Sequence, residues 1–251
     1  MNTNRSTSNY QKTGTDNVHN GKSILIVDDN EINQKLLRVY LSSMGFQVFV
    51  SKDGYSALNV LEKHPIDLVF LDLHMPVMNG YETTKAIRHL DERYSRIPII
   101  GLSADGLPNS RQKALQSGMN EYLVKPIKQE DLRQVLGRWF RLQEPMDVAE
   151  FSPNVVSKAD DLRLMLMKEM PDYKLRLTDA LEDRDYSEIY DIAHRLAGGS
   201  AYCELPELHR ISNLLQTAAK RRNNDQIDLY STGLLEHINH LLRDLPAVGH
   251  S

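Results

Sequence analysis

The chain has 251 residues, of which 41% are hydrophobic and 25% charged, and its formal net charge is −4 at pH 7. This length favours two domains, and the composition is that of an ordinary globular protein. No apolar run approaches the ~20 residues of a membrane span, and the N-terminus lacks the apolar stretch of a signal peptide, so we expect a cytoplasmic protein without membrane insertion. The single cysteine, Cys203, excludes an intrachain disulfide and a thiolate cluster for zinc or iron–sulfur.

The first part of the chain alternates between two hydrophobic periods. Residues 1–21 are polar without any period and are predicted to form a disordered leader. From residue 22 to residue 140, helix-like segments follow each of five strand-like runs, SILIV, FQVFV, DLVFL, IPIIGL and EYLV. Continuous runs of Ile, Val and Leu indicate strands buried on both faces, and therefore an α/β domain with a parallel sheet between helices. A barrel would need eight such units.

The second part of the chain shows only helical spacing. After a linker at 141–153, apolar residues recur three and four positions apart through residues 154–245, which predicts an antiparallel helical bundle. Pro171 and Pro206 are predicted to lie in first turns of helices, and RDYS and RRNNDQ to link helices. Residues 246–251 are assigned to a tail.

Polar side chains follow four of the predicted strands. They are Asp28 and Asp29 after the first, Asp72 after the third, Ser103 after the fourth and Lys125 after the fifth. Because the carboxyl ends of parallel strands meet at one edge, these side chains should converge. Carboxylates about 4 Å apart repel by roughly 4 kcal/mol at an effective dielectric of ~20, so three of them require a cation. The all-oxygen set favours Mg²⁺ over Ca²⁺, and Mg²⁺ commonly shares its shell with a phosphate oxygen.

An EF-hand loop is the rival interpretation of DDNEIN. Its fifth position would be Ile32, and its sixth, which should be glycine, is Asn33, so this interpretation fails. The motifs VDDN, FLDLHMPVMNG, LSA and KP, in this order, closely resemble those of the receiver domain of two-component response regulators over about residues 22–140. The resemblance implies a flavodoxin-like fold with strand order 2-1-3-4-5.

The resemblance also implies a phosphoacceptor and a metal site. Asp72 would be the nucleophile that accepts the phosphoryl group. Asp28 and Asp29 would hold Mg²⁺ together with Asp72 and the main-chain carbonyl of His74, whose side chain need not take part. In-line phosphoryl transfer asks for little more than a positioned oxygen, a metal and a cation.

The remaining receiver positions concern charge and switching. Lys125 would be the cation that balances the developing charge, and the Lys125–Pro126 bond is a candidate cis peptide. Ser103 would hydrogen-bond the phosphoryl group and move its loop. Tyr122 would then turn inward to fill the vacated space.

The segment YDIAHRLAGGSAYC carries the information in the helical half. A step of 100° per residue places His194 opposite the apolar stripe of its helix, so that an exposed imidazole is predicted, with Gly198 and Ala201 on the same face. A glycine inside a helix lowers helix stability by about 1 kcal/mol relative to alanine, so these glycines require a reason. One such reason is clear space around the imidazole, into which another protein's active site could fit.

This segment resembles the His–x–Leu–x–Gly signature of histidine phosphotransfer (HPt) domains, over about residues 154–245. The chain departs from the family at two positions. Ala197 stands where a lysine or another polar residue is usual, with Arg195 as the nearest substitute cation, and Glu204 stands where a glycine commonly follows.

Together the two resemblances imply a phosphorelay protein. Asp72 would take a phosphoryl group from the phosphohistidine of a sensor histidine kinase, and His194 would pass it to or from a receiver aspartate, including that of a downstream response regulator. The chain would catalyse its own aspartate phosphorylation and dephosphorylation, but no glycine-rich phosphate loop or kinase motif indicates ATP binding. The domain order resembles the C-terminal end of tripartite hybrid sensor kinases, and either a freestanding protein or a fragment fits.

Two alternatives give the helical half another function. As a DNA-binding output domain it should be basic, yet residues 154–245 hold 12 Lys and Arg against 16 Asp and Glu, so no nucleic acid partner is expected. As a docking or dimerisation module it would not be phosphorylated, and Ala197 is the residue that favours this reading.

Overall fold

A computed structural model describes residues 21–104, 108–140 and 156–243. The predicted linker, the tail and all but the last residue of the predicted leader lie outside these residues. The first described part alternates strands and helices: β1 Ser23–Val27, α1 Glu31–Ser43, β2 Gln47–Ser51, α2 Gly54–Lys63, β3 Leu68–Asp72, α3 Gly80–Arg88, β4 Ile99–Ser103, α4 Pro108–Gln116, β5 Glu121–Val124 and α5 Gln129–Phe140.

The five strands form one parallel sheet in the order β2-β1-β3-β4-β5, which confirms the predicted fold and strand order. Strands β1, β3 and β4 are buried along their whole length, whereas the edge strands β2 and β5 are partly exposed. Alternate residues of the central strands pack against α1 and α5 on one face and against α2, α3 and α4 on the other. Continuous apolar runs are therefore required only in the central strands.

The second described part consists of α6 Val156–Glu182, α7 Tyr186–Tyr202, α8 Pro206–Arg221 and α9 Asn224–Arg243. Short links at 183–185 and 222–223 overlap the two predicted links and make successive helices antiparallel. Pro206 lies in the first turn of α8, as predicted. None of the described helices is both long enough and apolar enough to cross a membrane.

The predicted position of Pro171 is wrong, because it lies inside α6 rather than at the start of a helix. An interior proline loses a hydrogen bond and costs about 3 kcal/mol. Here Pro171 faces solvent, while Met170, Tyr173 and Leu177 are buried on the opposite face of the helix. Their burial on both sides of the proline accounts for the continuity of α6, since each such side chain contributes about 1.5–3 kcal/mol.

Helix α1 belongs to both parts of the molecule. Its residues Leu37 and Leu41 pack beneath the sheet, whereas Ile32 and Leu36 belong to the hydrophobic core of the bundle. Helix α1 contacts both α6 and α7. The bundle is therefore docked on the edge of the sheet where β1 and β3 end.

Candidate active site between the sheet and the bundle

The polar residues that follow the strands converge, as the sequence predicts. One carboxylate oxygen from each of Asp28, Asp29 and Asp72 lies within 4.8 Å of the other two. The Lys125 Nζ atom lies 2.7 Å from Asp28 Oδ2 and 2.5 Å from Asp72 Oδ2. Because β3 lies beside β1 in the sheet, strand pairing brings Asp72 next to Asp28. Lys125 follows β5, two strands from β3, and its long side chain reaches both carboxylates. The Lys125–Pro126 bond is cis.

Burial and charge oppose one another at these groups. Burial raises the pKa of Asp28 to about 6; Lys125 works against this rise, while Asp72 and Asp29 add to it. Burial also raises the pKa of Asp29, as does the charge of Asp72. At Asp72 burial acts in the same direction, but Lys125 and His194 outweigh it and hold the pKa below its usual value. Crowded, desolvated carboxylates with raised pKa values favour an additional cation.

A hard divalent cation fits this carboxylate cluster. Asp29 Oδ1 is buried and has no hydrogen-bond partner among the described residues. The three carboxylates offer only oxygen ligands, which Mg²⁺ prefers. The buried, unpaired oxygen is the atom that a metal ion would satisfy.

The prediction that His194 is exposed is wrong. Its side chain is only 6% exposed, and its Nε2 atom lies 3.7 Å from Asp72 Oδ2. The imidazole does lie opposite the bundle core, but the sheet covers that face of α7. The rings of Tyr190 and His74 lie beside it, at 6.2 and 5.4 Å between ring centroids. The spacing of apolar residues in α7 shows only which face packs within the bundle. Packing of the opposite face against the receiver domain leaves no periodic pattern in the sequence of α7.

Gln216 on α8 is a site residue that the sequence analysis missed. Its Nε2 atom lies 2.9 Å from Nδ1 of His194, so the amide fixes the ring with Nε2 facing Asp72. A glutamine on the partly exposed face of an amphipathic helix carries no distinguishing sequence signal. Only the packing of α7 against α8 reveals it.

Arg195, which the sequence offers as a substitute cation, lies beside the carboxylate cluster. Its Nη2 atom lies 2.9 Å from Asp29 Oδ2, and its carbonyl oxygen accepts a hydrogen bond from the Asn30 side chain at 3.0 Å. Ala197, by contrast, is buried within the bundle, and its carbonyl lies 2.8 Å from Nδ1 of His209. The docked bundle thus brings an arginine, rather than a side chain from position 197, to the carboxylates.

The small residues after His194 do not leave the predicted clear space in the docked arrangement, because helix α1 of the same chain lies against them. A Cβ atom on Gly198 would lie 3.2 Å from the Asn33 side chain, and one on Gly199 would lie 3.2 Å from the Ile32 side chain. Ala201 is partly buried. The glycines therefore permit the close approach of α1 to α7.

Three further features complete the site. Glu204 has φ 53°, the left-handed conformation for which a glycine is commonly used at this point after a helix. Ser103 is fully buried at the end of β4. Tyr122 is partly buried and packs against the cluster on the α2, α3 and α4 side of the sheet.

Comparison with known proteins gives two family matches. Residues 24–137 match the model of the response regulator receiver domain, and residues 161–247 match that of the Hpt domain. The sensor histidine kinase GacS of Pseudomonas protegens is 32% identical over 248 residues, which cover 89% of this chain and 26% of GacS. The sensor protein EvgS of Escherichia coli is 31% identical, over 89% of this chain and 19% of EvgS. The chain thus spans about a quarter or less of these relatives.

Shorter similarities fall on the receiver region. The sensor histidine kinase RcsC of Escherichia coli is 43% identical over 113 residues, which cover 45% of this chain and 12% of RcsC. A crystal structure of the PA1611 receiver domain from Pseudomonas aeruginosa, with a magnesium ion in its active site cleft, is 39% identical with a TM-score of 0.45; the match covers 49% of this chain and 99% of that one.

Proposed function

We propose that this chain, which belongs to the response regulator receiver family over residues 24–137 and to the Hpt domain family over residues 161–247, passes phosphoryl groups between Asp72 and His194 of one molecule. The supporting observation is the 3.7 Å distance between His194 Nε2 and Asp72 Oδ2, two side chains that are both buried. A nucleophile and a phosphoacceptor held this close react as neighbours rather than by diffusion.

The transfer itself exchanges one bond for another. With a phosphoryl group on Asp72, the lone pair of His194 Nε2 attacks phosphorus; the N–P bond forms, the Oδ2–P bond breaks, and the electron pair stays on the Asp72 carboxylate. In-line transfer places phosphorus between the two atoms, so their separation must exceed 3.7 Å during the reaction. Lys125, bonded to Asp72 Oδ2, balances the charge on the carboxylate throughout.

Gln216 controls which nitrogen of His194 is nucleophilic. An amide that presents its nitrogen to Nδ1 donates a hydrogen bond there, and the ring proton of the neutral imidazole then lies on Nε2. When the amide turns by half a turn, its oxygen accepts from Nδ1–H and leaves the Nε2 lone pair facing Asp72. Gln216 is therefore a positioning residue for the transfer.

We propose Mg²⁺ as the resident metal, held by Asp28, Asp29, Asp72 and the main-chain carbonyl of His74. When bound, it neutralises phosphoryl oxygens and so favours phosphorylation of Asp72. Arg195 adds a protein cation beside Asp29 when the bundle is docked.

The remaining receiver residues couple phosphorylation to a change of shape. In this proposal Ser103 hydrogen-bonds the phosphoryl group on Asp72, and Tyr122 turns inward as the loop after β4 moves. The buried position of Ser103 at the end of β4 supports the first step, because it places the hydroxyl at the same edge of the sheet as Asp72.

The partners that fit this chemistry are a sensor histidine kinase as phosphodonor and a downstream response regulator as acceptor. We propose that the chain acts in the cytoplasm, where such partners work, and that the docked bundle must leave the sheet before His194 reaches another receiver. Each bimolecular transfer then competes with the intramolecular contact between His194 and Asp72.

The test labels the full chain with radioactive acetyl phosphate in the presence of Mg²⁺. We expect a base-labile acyl phosphate on Asp72 and an acid-labile, base-stable phosphoramidate on His194, which forms at a rate independent of protein concentration. Asp72→Asn should lose both species, and His194→Gln only the acid-labile one. The exposed control His89→Gln should behave as the parent.

Two results would contradict the proposal. Acid-labile label on His194 in the Asp72→Asn chain would show that the aspartate is not the donor. Complete absence of label on His194, with Asp72 labelled and the fold intact, would instead support a docking module that is never phosphorylated. The burial of both His194 and Ala197 is the observation that favours this second function.

A further inference from the structure

We propose that His74, His194 and Asp72 form a second metal site, of the zinc type, which spans the two domains and holds them docked. One ligand atom from each of the three side chains lies within 4.8 Å of the other two. The receiver loop after β3 supplies His74, the end of β3 supplies Asp72, and α7 of the bundle supplies His194. The set is therefore complete only when the bundle lies on the sheet.

The ligand types separate this site from the magnesium site. Two imidazole nitrogens and one carboxylate oxygen suit Zn²⁺ and related transition metals, whereas Mg²⁺ prefers oxygen ligands alone. Bonds of ~2.1 Å in tetrahedral geometry place ligand atoms about 3.4 Å apart, close to the 3.7 Å between His194 Nε2 and Asp72 Oδ2. A small movement of the His74 ring, whose centroid lies 5.4 Å from that of His194, would close the set. Three protein ligands leave a fourth position open.

Groups around the ligands already hold them in place. Gln216 holds His194 through Nδ1 with Nε2 directed at Asp72. When the amide presents its oxygen to Nδ1–H, it orients the ring as outer partners of zinc-bound histidines do. Asp72 Oδ1 accepts a hydrogen bond from the backbone N–H of His74 at 3.0 Å. A cleft of about 340 Å³, lined in part by His74, Tyr190 and Gln216, lies beside these ligands.

The charges nearby also accommodate a cation. Among the described residues, the lysine and arginine side chains that form ion pairs with the three carboxylates are Lys125 and Arg195. One negative charge is left over when His194 is neutral. This excess negative charge attracts a cation to the Asp72 side of the cluster when the same carboxylates hold no Mg²⁺.

Occupancy has two consequences. Because the metal binds only the docked arrangement, mass action requires that it stabilise docking. Because it uses the Nε2 lone pair of His194 and an oxygen of Asp72, it also prevents both from reacting, and zinc should stop phosphoryl transfer. This second consequence rests on the proposed function, whereas metal binding rests on the geometry alone.

The experiment titrates the metal-free full chain with Zn²⁺ and, for its visible spectrum, with Co²⁺. We expect one tight site and a smaller radius of gyration on binding. The visible absorption of bound Co²⁺ should have the intensity typical of a four- or five-coordinate ion with nitrogen ligands. His74→Ala, His74→Gln and His194→Gln should each weaken the affinity by at least about tenfold. His89→Ala removes an exposed histidine at the end of α3 and should leave the affinity unchanged.

Parent affinity in both folded His74 variants would overturn the site. Parent affinity in folded His194→Gln would overturn the claim that it spans the domains. Inhibition is measured separately, as transfer of label from Asp72 to His194 in Mg²⁺ with and without one equivalent of Zn²⁺. Failure of transfer in the absence of zinc would contradict the proposed function and leave the binding result standing.

Discussion

At the scale of a residue, the orientation of His194 depends on one amide. Gln216 lies 2.9 Å from Nδ1 of the imidazole. Loss of a hydrogen bond worth about 1–2 kcal/mol lowers a rate by roughly 5- to 30-fold, so Gln216→Ala should slow transfer from Asp72 to His194 by that factor. Labelling of Asp72 should keep its parent rate. Rapid-quench measurement of both labels gives the two rates.

Two further variants separate positioning by Gln216 from general damage. Gln134→Ala removes an exposed glutamine on α5 and should change neither rate. Gln216→Glu should restore transfer relative to alanine and alter its pH profile, because a carboxylate accepts from Nδ1–H and keeps the Nε2 lone pair available. Transfer at the parent rate in Gln216→Ala would show that the ring is oriented without the amide.

At the scale of an element, the start of α3 lies against the backbone of β3. A Cβ atom on Gly80 would lie 2.3 Å from the carbonyl oxygen of Asp72 and 2.9 Å from Cα of Leu73, so helix or strand would have to shift. Gly80→Ala should therefore lower the free energy of unfolding by about 1–3 kcal/mol and slow the labelling of Asp72. Urea denaturation followed by circular dichroism measures the first effect.

Gly137 on α5 is the matched control for this glycine. Apart from its chain neighbours and the backbone of its own helix, no atom of the described residues lies within 4 Å of the position that its Cβ would take. Gly137→Ala should raise the free energy of unfolding by up to about 1 kcal/mol, because alanine favours the helix. Equal stability of the Gly80→Ala and Gly137→Ala chains would show that the contact at Gly80 is not restrictive.

At the scale of the whole molecule, the docked arrangement depends on apolar residues of α1. Leu36 belongs to the bundle core and is 7% exposed. Burial of a leucine contributes about 1.5–3 kcal/mol, so Leu36→Asp should shift the equilibrium toward the undocked state by roughly tenfold or more. We expect a larger radius of gyration in X-ray scattering and slower transfer to His194. Labelling of Asp72 should persist, since Leu36 lies outside the sheet's own clusters.

The control for docking is Leu115→Asp. Leu115 lies on α4 and is 46% exposed, so its replacement should leave the scattering curve and the transfer unchanged. A Leu36→Asp chain as compact as the parent would mean that polar contacts, such as the pair of Arg195 with Asp29, hold the domains together without this leucine.

The sequence determined by itself the alternation of strands and helices, the change to a bundle and the polar cluster at the strand ends. Each of these follows from patterns a few residues long. Periods of two or 3.6 residues identify elements, and in a parallel sheet the residue after each central strand must lie at one edge. The sequence alone therefore groups Asp28 with Asp72, and Lys125 joins them because the neighbouring edge strand ends at the same side of the sheet. The strand order came from the resemblance of motifs rather than from these periods.

Only the tertiary structure decided how the two halves meet. The exposed position predicted for His194 was wrong. The helical period of α7 shows which face packs within the bundle, but it contains no information on what covers the opposite face. The continuity of α6 through Pro171 likewise depends on the burial of Met170 and Tyr173. Docking, the role of Gln216 and the meeting of His74 with His194 arise from complementary surfaces on α1, α7 and α8, and such complementarity between segments far apart in the chain has no local pattern.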